Sequence, residues 1–139
     1  MNLNYPIVIK SNKYIEGNIL NERNLIYVGE NNFINGCFNN SIIIDSSGYE
    51  YKILSAKKEK LIFSIWNLFP QYRSIKVSLE LSKPKKKNLD EIKKELTELF
   101  LNNPKWFKNS DFSQTQAIEL FINEARTVKE LIKNISVWS

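Results

Sequence analysis

Apolar residues in the first third of the chain come in short runs, at 7–9, 19–20, 25–28 and 42–44, separated by clusters of Asn, Gly and Ser. Runs of this length bounded by turn-forming residues predict β-strands. Asp45-Ser46-Ser47-Gly48 has Asp at the first and Gly at the last position of a turn, which predicts a hairpin joining residues 41–44 to 49–54. Residues 60–69 form an apolar run containing Phe63, Trp66 and Phe69, and Pro70-Gln71-Tyr72-Arg73 reads as a turn after it. The clearest strand is 74–82. Ile75, Val77, Leu79 and Leu81 alternate with Lys76, Ser78, Glu80 and Ser82, the pattern of an antiparallel strand with one buried and one wet face.

Beyond Ser82 the period changes from 2 to 3.6. Asn88 stands three residues before Glu91, close to a capping box, and Ile92, Leu96, Leu99 and Phe100 form an apolar stripe that ends at Asn102-Asn103-Pro104. After a short segment, Lys105-Trp106-Phe107, two more helices are predicted. One covers 113–123 with Ile118, Leu120 and Phe121; the other covers 127–135 with Val128, Leu131, Ile132 and Ile135, opened by a Thr127/Glu130 capping box. Strands first and helices last predict one α+β domain over residues 1–139: an antiparallel sheet from the N-terminal two thirds (β-rich 1–82) packed with about three C-terminal helices (88–139).

Composition then removes whole classes of chemistry. The 139 residues include no His and one Cys, so no Cys–His nucleophile, internal disulfide or multi-cysteine metal site can be built within one chain. Neither a cofactor nor a metal is expected. Gly17, Gly29, Gly36 and Gly48 are too widely spaced for a phosphate-cradling loop. Cys37 reads as a half-buried structural thiol. Asp45 is accounted for by its turn, Asp90 by the first turn of a helix, and Asp111 by capping near Ser113. Glu91, Glu95 and Glu98 share a helix side with Lys93 and Lys94, which reads as an ordinary charged surface. Nothing advocates an enzyme. The amino-terminal residues lack a signal-peptide pattern and no apolar run is long enough for a membrane span, so a cytoplasmic location without membrane contact is expected.

The net charge is +5, but twelve basic residues against four acidic ones between Lys52 and Lys94 concentrate +8 in the middle. Almost all of it is Lys, with Arg only at positions 23, 73 and 126, whereas bidentate phosphate recognition favours Arg. A solvated surface explains most of this excess. The functional alternative is a nucleic-acid patch in which Trp66, Phe69 and Tyr72 stack on bases while Arg73, Lys76, Lys83, Lys85, Lys86 and Lys87 hold the backbone. Trp106, Phe107 and Trp138 are either core residues or anchors for a partner, and the sequence leaves both readings open.

The order of segments carries one resemblance. Asp45-Ser46-Ser47-Gly48-Tyr49-Glu50-Tyr51 runs into Ile75-Lys76-Val77-Ser78-Leu79-Glu80-Leu81, then into Leu89-Asp90-Glu91-Ile92-Lys93-Lys94-Glu95-Leu96. Asn103-Pro104-Lys105-Trp106-Phe107 and Glu124-Ala125-Arg126-Thr127-Val128-Lys129-Glu130-Leu131-Ile132 follow. From about Ser41 onward this layout resembles the small cytoplasmic immunity proteins that accompany bacterial polymorphic and contact-dependent toxins. The resemblance implies a non-catalytic protein that neutralises a cognate toxin domain by direct binding. Those proteins are diverse, so no binding residue is carried over. Immunity proteins against nucleases are often acidic while this chain is basic, which implies a toxin of another kind or an acidic flank as the binding face.

Overall fold

A computed structural model describes residues 2–61 and 74–138. Seven strands are described: β1 (Ile7–Ser11), β2 (Tyr14–Ile19), β3 (Tyr27–Gly29), β4 (Ile42–Asp45), β5 (Tyr49–Leu61), β6 (Ser74–Leu81) and β7 (Lys85–Lys86). They form one antiparallel sheet in the order β2-β1-β4-β5-β6-β3, with β7 paired to β5 in line with β6. Two short helices, α1 (Glu22–Ile26) and α2 (Glu30–Ile34), flank β3. The C-terminal part supplies α3 (Leu89–Leu101), a 3₁₀ turn at Pro104–Phe107, α4 (Gln114–Ala117) continuing as a π-helical turn over Ile118–Asn123, and α5 (Val128–Trp138). The protein is a single α+β domain.

The short continuous apolar runs are explained by burial on both faces. Val8 and Ile44 face α3 and α5 in one hydrophobic cluster, while Ile7, Ile9 and Ile43 face a second cluster within the curl of the sheet. Alternation survives where one face is wet: Ile75 and Val77 of β6 are buried and Ser78 and Glu80 are exposed. Breaks in register between Ile53 and Ser55, and between Lys58 and Lys60, add local twist along the long β5–β6 pair. Gly17 allows α5 to rest directly on β2, because a Cβ there would meet the Ser136 backbone nitrogen at 2.8 Å.

The predicted hairpin is present, and Asp45 is its organiser. Its side chain is fully buried; Oδ1 accepts from the Ser47 and Tyr49 N–H groups at 3.0 Å each, and Oδ2 accepts from the Asn4 N–H at 3.2 Å. Gly48 closes the turn at φ +85°, a left-handed conformation that side chains rarely adopt. Asp45→Asn is expected to lower stability by about 2 kcal/mol, since one amide N–H₂ would face a buried donor in place of a charged acceptor. Urea denaturation measures this, and an unchanged midpoint would contradict the role.

Two expectations are corrected. Residues 25–28 are not a strand: Leu25 and Ile26 close α1, and only Tyr27–Gly29 pairs with β6. The local cause is Asn21, whose side chain accepts the Asn24 N–H at 3.0 Å and starts a helical turn. The N-terminal part is therefore not purely β. The helix at 113–123 turns a different face inward than its spacing suggests. Its wider π turn brings Ala117 and Ile122, five residues apart, into the core, leaving Leu120 exposed and Ile118 and Phe121 half-buried. Ser113 with Gln116 forms its capping box, so Asp111, which is exposed, is not the cap.

Elsewhere the helix signals hold. The Asn88 side chain accepts the Glu91 N–H at 2.8 Å, and Ile92, Leu96, Leu99 and Phe100 are all buried. Thr127 accepts from the Glu130 N–H at 3.0 Å, while the Glu130 carboxylate returns to the Arg126 N–H rather than to that of Thr127.

Candidate functional site

Two arrangements bring chemistry-bearing side chains together. The first joins three elements of the sheet to α3. Lys87, just after β7, contacts Glu95 of α3 through its Nζ and lies 3.2 Å from Oε2 of Glu50 on β5, while Lys10 of β1 lies 3.5 Å from the second Glu95 oxygen. The side chains of Lys87 and Glu50 are only 13% and 10% exposed, so this is an internal network. Burial raises the Glu50 carboxyl above its ordinary range, helped by the nearby Glu95 carboxylate. Burial would also raise Glu95, but the Lys87 hydrogen bond and the Lys10 charge outweigh it and hold Glu95 below the ordinary carboxylate value. Burial likewise opposes the Lys87 ammonium, and its contacts with both carboxylates overcome that and raise it.

The network fastens α3 to the sheet. Glu95 is consequently not part of an ordinary charged helix surface, which is a further correction to the sequence reading; Glu91 and Glu98 do remain exposed. Its signal in the sequence was invisible because its partners lie 8, 45 and 85 residues away.

The second arrangement is an open cleft of about 590 Å³ between the β1–β2 turn, the 3₁₀ turn and the end of α5. Its apolar wall consists of Tyr14, Trp106 and Trp138, and Lys13 and Lys105 stand at it as well. Asn109 and Ser110 add hydrogen-bonding groups. The tryptophans are held from below by Phe100, which is fully buried: its ring centroid lies 4.7 Å from that of Trp138 and 6.1 Å from that of Trp106. Trp106 and Trp138 also touch each other, at 5.8 Å and 46°. Among the described residues, neither Lys13 nor Lys105 has an ion-pair partner and no acidic residue lines the cleft. The question left open by the sequence is thereby divided: Phe107 is core, at 9% exposure, while the half-buried Trp106 and Trp138 serve core and cleft together.

Of the proposed nucleic-acid patch, only part falls within the described residues. Trp66, Phe69, Tyr72 and Arg73 lie outside the described residues. Lys76 pairs with Glu59 at 3.6 Å, Lys87 belongs to the internal network, and Lys86 donates to the Ser47 carbonyl and lies over the Tyr49 ring at 4.6 Å. Lys83 and Lys85 are exposed. Cys37 is half-buried as expected, and burial pushes its thiol up, away from the reactive thiolate. Among the described residues no group of three His, Cys, Asp or Glu side chains could hold a metal ion, and no helix is long and apolar enough to cross a membrane. No family model, curated protein or solved structure matches the chain.

Proposed function

We propose that the protein is a non-catalytic, cytoplasmic binding module that neutralises a partner protein by direct contact, the role of an immunity protein toward a bacterial toxin domain. The observation that carries this reading is the cleft at Trp106 and Trp138. Large aromatic rings seated on a rigid core and bordered by polar groups are the composition of an interface anchor. The buried carboxylates Asp45 and Glu50 are already engaged, Asp45 by backbone N–H groups and Glu50, like the half-buried Glu95, by Lys87. They serve the fold, and a blocker needs nothing more from them.

The test is binding to the C-terminal domain of a large secreted protein encoded by the adjacent upstream gene. Nanomolar affinity and loss of that domain's activity on binding are expected. A purified domain that neither binds nor is inhibited would overturn the reading. The alternative is nucleic-acid binding, for which Lys83 and Lys85 are exposed cations among the described residues of the patch. It predicts RNA or DNA affinity that falls steeply with salt and weakens in the K83Q/K85Q variant. These two substitutions avoid Lys86 and Lys87, whose loss would disturb the fold itself.

A further inference from the structure

We infer that the cleft at Trp106 and Trp138 receives an acidic segment of the protein partner, an apolar side chain lying on the tryptophan floor between carboxylates that meet Lys13 and Lys105. This rests on the binding-module reading and specifies its partner's chemistry. Two cations stand at the cleft without a described counter-charge and no acid lines it, so the local field selects an anion. The aromatic wall selects an apolar group beside that anion. Tyr14 contributes its ring and not a charge: its hydroxyl donates to Oε2 of Glu16 at 3.2 Å, and burial together with the Glu16 charge raises its titration well above the ordinary tyrosine range.

The shape distinguishes a side chain from a nucleobase. Trp106 and Trp138 are in ring contact with each other, tilted by 46°, and with Phe100 beneath them, so they form a floor with no gap between the two rings. A base could lie on one face but could not be held between two. Two lysines can neutralise a pair of carboxylates but provide a short track for a phosphate backbone. Asn109 and Ser110 supply donors and acceptors suited to a peptide's own backbone.

Two measurements test this on the intact chain. In the first, capped pentapeptides Asp-Asp-Phe-Asp-Asp and Lys-Lys-Phe-Lys-Lys, and an oligouridylate, are titrated into ¹⁵N-labelled protein while the indole N–H signals of Trp106 and Trp138 are followed. The acidic peptide should shift both signals and the basic peptide neither. Indoles that respond to neither peptide, or to the oligouridylate in preference, overturn the inference. In the second, the K13E/K105E variant is compared with the wild type in binding the toxin-type domain. An affinity loss of about tenfold or more is expected, with unchanged thermal unfolding. Unaltered affinity would overturn the cleft assignment while leaving the binding-module reading intact. If the wild type does not bind that domain, the broader reading fails, and the peptide titration alone decides whether the cleft takes an acidic segment.

Discussion

Replacing Lys87 by Met is expected to cost about 3–5 kcal/mol at pH 7, because removing one partner from an internal ion network leaves uncompensated charge behind. Lys87 is the group between Glu50 and Glu95, and both carboxyls lose their principal cation together. Lys10 still faces Glu95 at 3.5 Å, so the loss should lie nearer the lower figure. For a domain of this size that corresponds to roughly 10 °C in melting temperature. Acid should narrow the gap between variant and wild type, since protonating both carboxyls removes the charge that Lys87 compensates. A K87M protein as stable as the wild type at pH 7 would show that the network does not hold α3 to the sheet.

The two carboxyls should respond oppositely to neutralisation. Glu50 titrates above its unfolded value, so around and just above the ordinary carboxylate range the folded protein binds more protons than the unfolded chain. Stability conferred by that proton is present at low pH and is lost as pH rises through the raised value. Glu50→Gln should remove this slope and leave stability at pH 7 equal or higher, because the amide replaces a carboxyl whose ionisation burial opposes. Glu95 titrates below its unfolded value, so its contribution is present at neutral pH and disappears as pH falls through the lowered value. Glu95→Gln should therefore destabilise at pH 7 and lose its effect in acid. Denaturation midpoints measured from about pH 2 to 8 separate the two.

The other large effect is expected at Phe100. Its side chain is fully buried and its ring contacts those of Trp106, Phe107 and Trp138. Phe100→Ala should cost about 3–5 kcal/mol through lost burial and the cavity left behind. The consequence reaches the cleft, because the tryptophan floor rests on this ring. Partner affinity should fall along with stability, whereas K13E/K105E should alter affinity alone. A loss below about 1 kcal/mol would mean that the aromatic cluster closes over the gap, and the rigid floor assigned to the cleft would then be wrong.

Local physics made much of the fold legible in the sequence. The Asp45–Gly48 hairpin, the alternating strand at 74–81, the Asn88 cap and the buried stripe of α3 all depend on residues within a few positions of one another, through turn geometry, pleat and helical period. So did the antiparallel α+β layout, which follows from where the period changes. Five-residue helices such as α1 and α2 escape because fewer than two turns leave no periodic stripe, and Asn21 resembles any turn residue until its cap is seen. The π turn escapes for a related reason: a widened turn shifts the inward face by one position, which a fixed 3.6 period cannot register.

What only tertiary structure decided is which side chains meet across the chain. Composition showed that no histidine chemistry was possible and that the middle was basic, but it could not show that Lys87 turns inward to Glu50 and Glu95 while Lys83 and Lys85 stay in water. Likewise, Tyr14, Trp106 and Trp138 are ordinary apolar residues in three distant segments until α5 packs on β2 at Gly17 and sets their rings beside one cleft. Periodicity reports whether a residue faces the interior. It carries no information about which residue, 8 or 124 positions away, stands opposite, because that is set by how the elements close on one another.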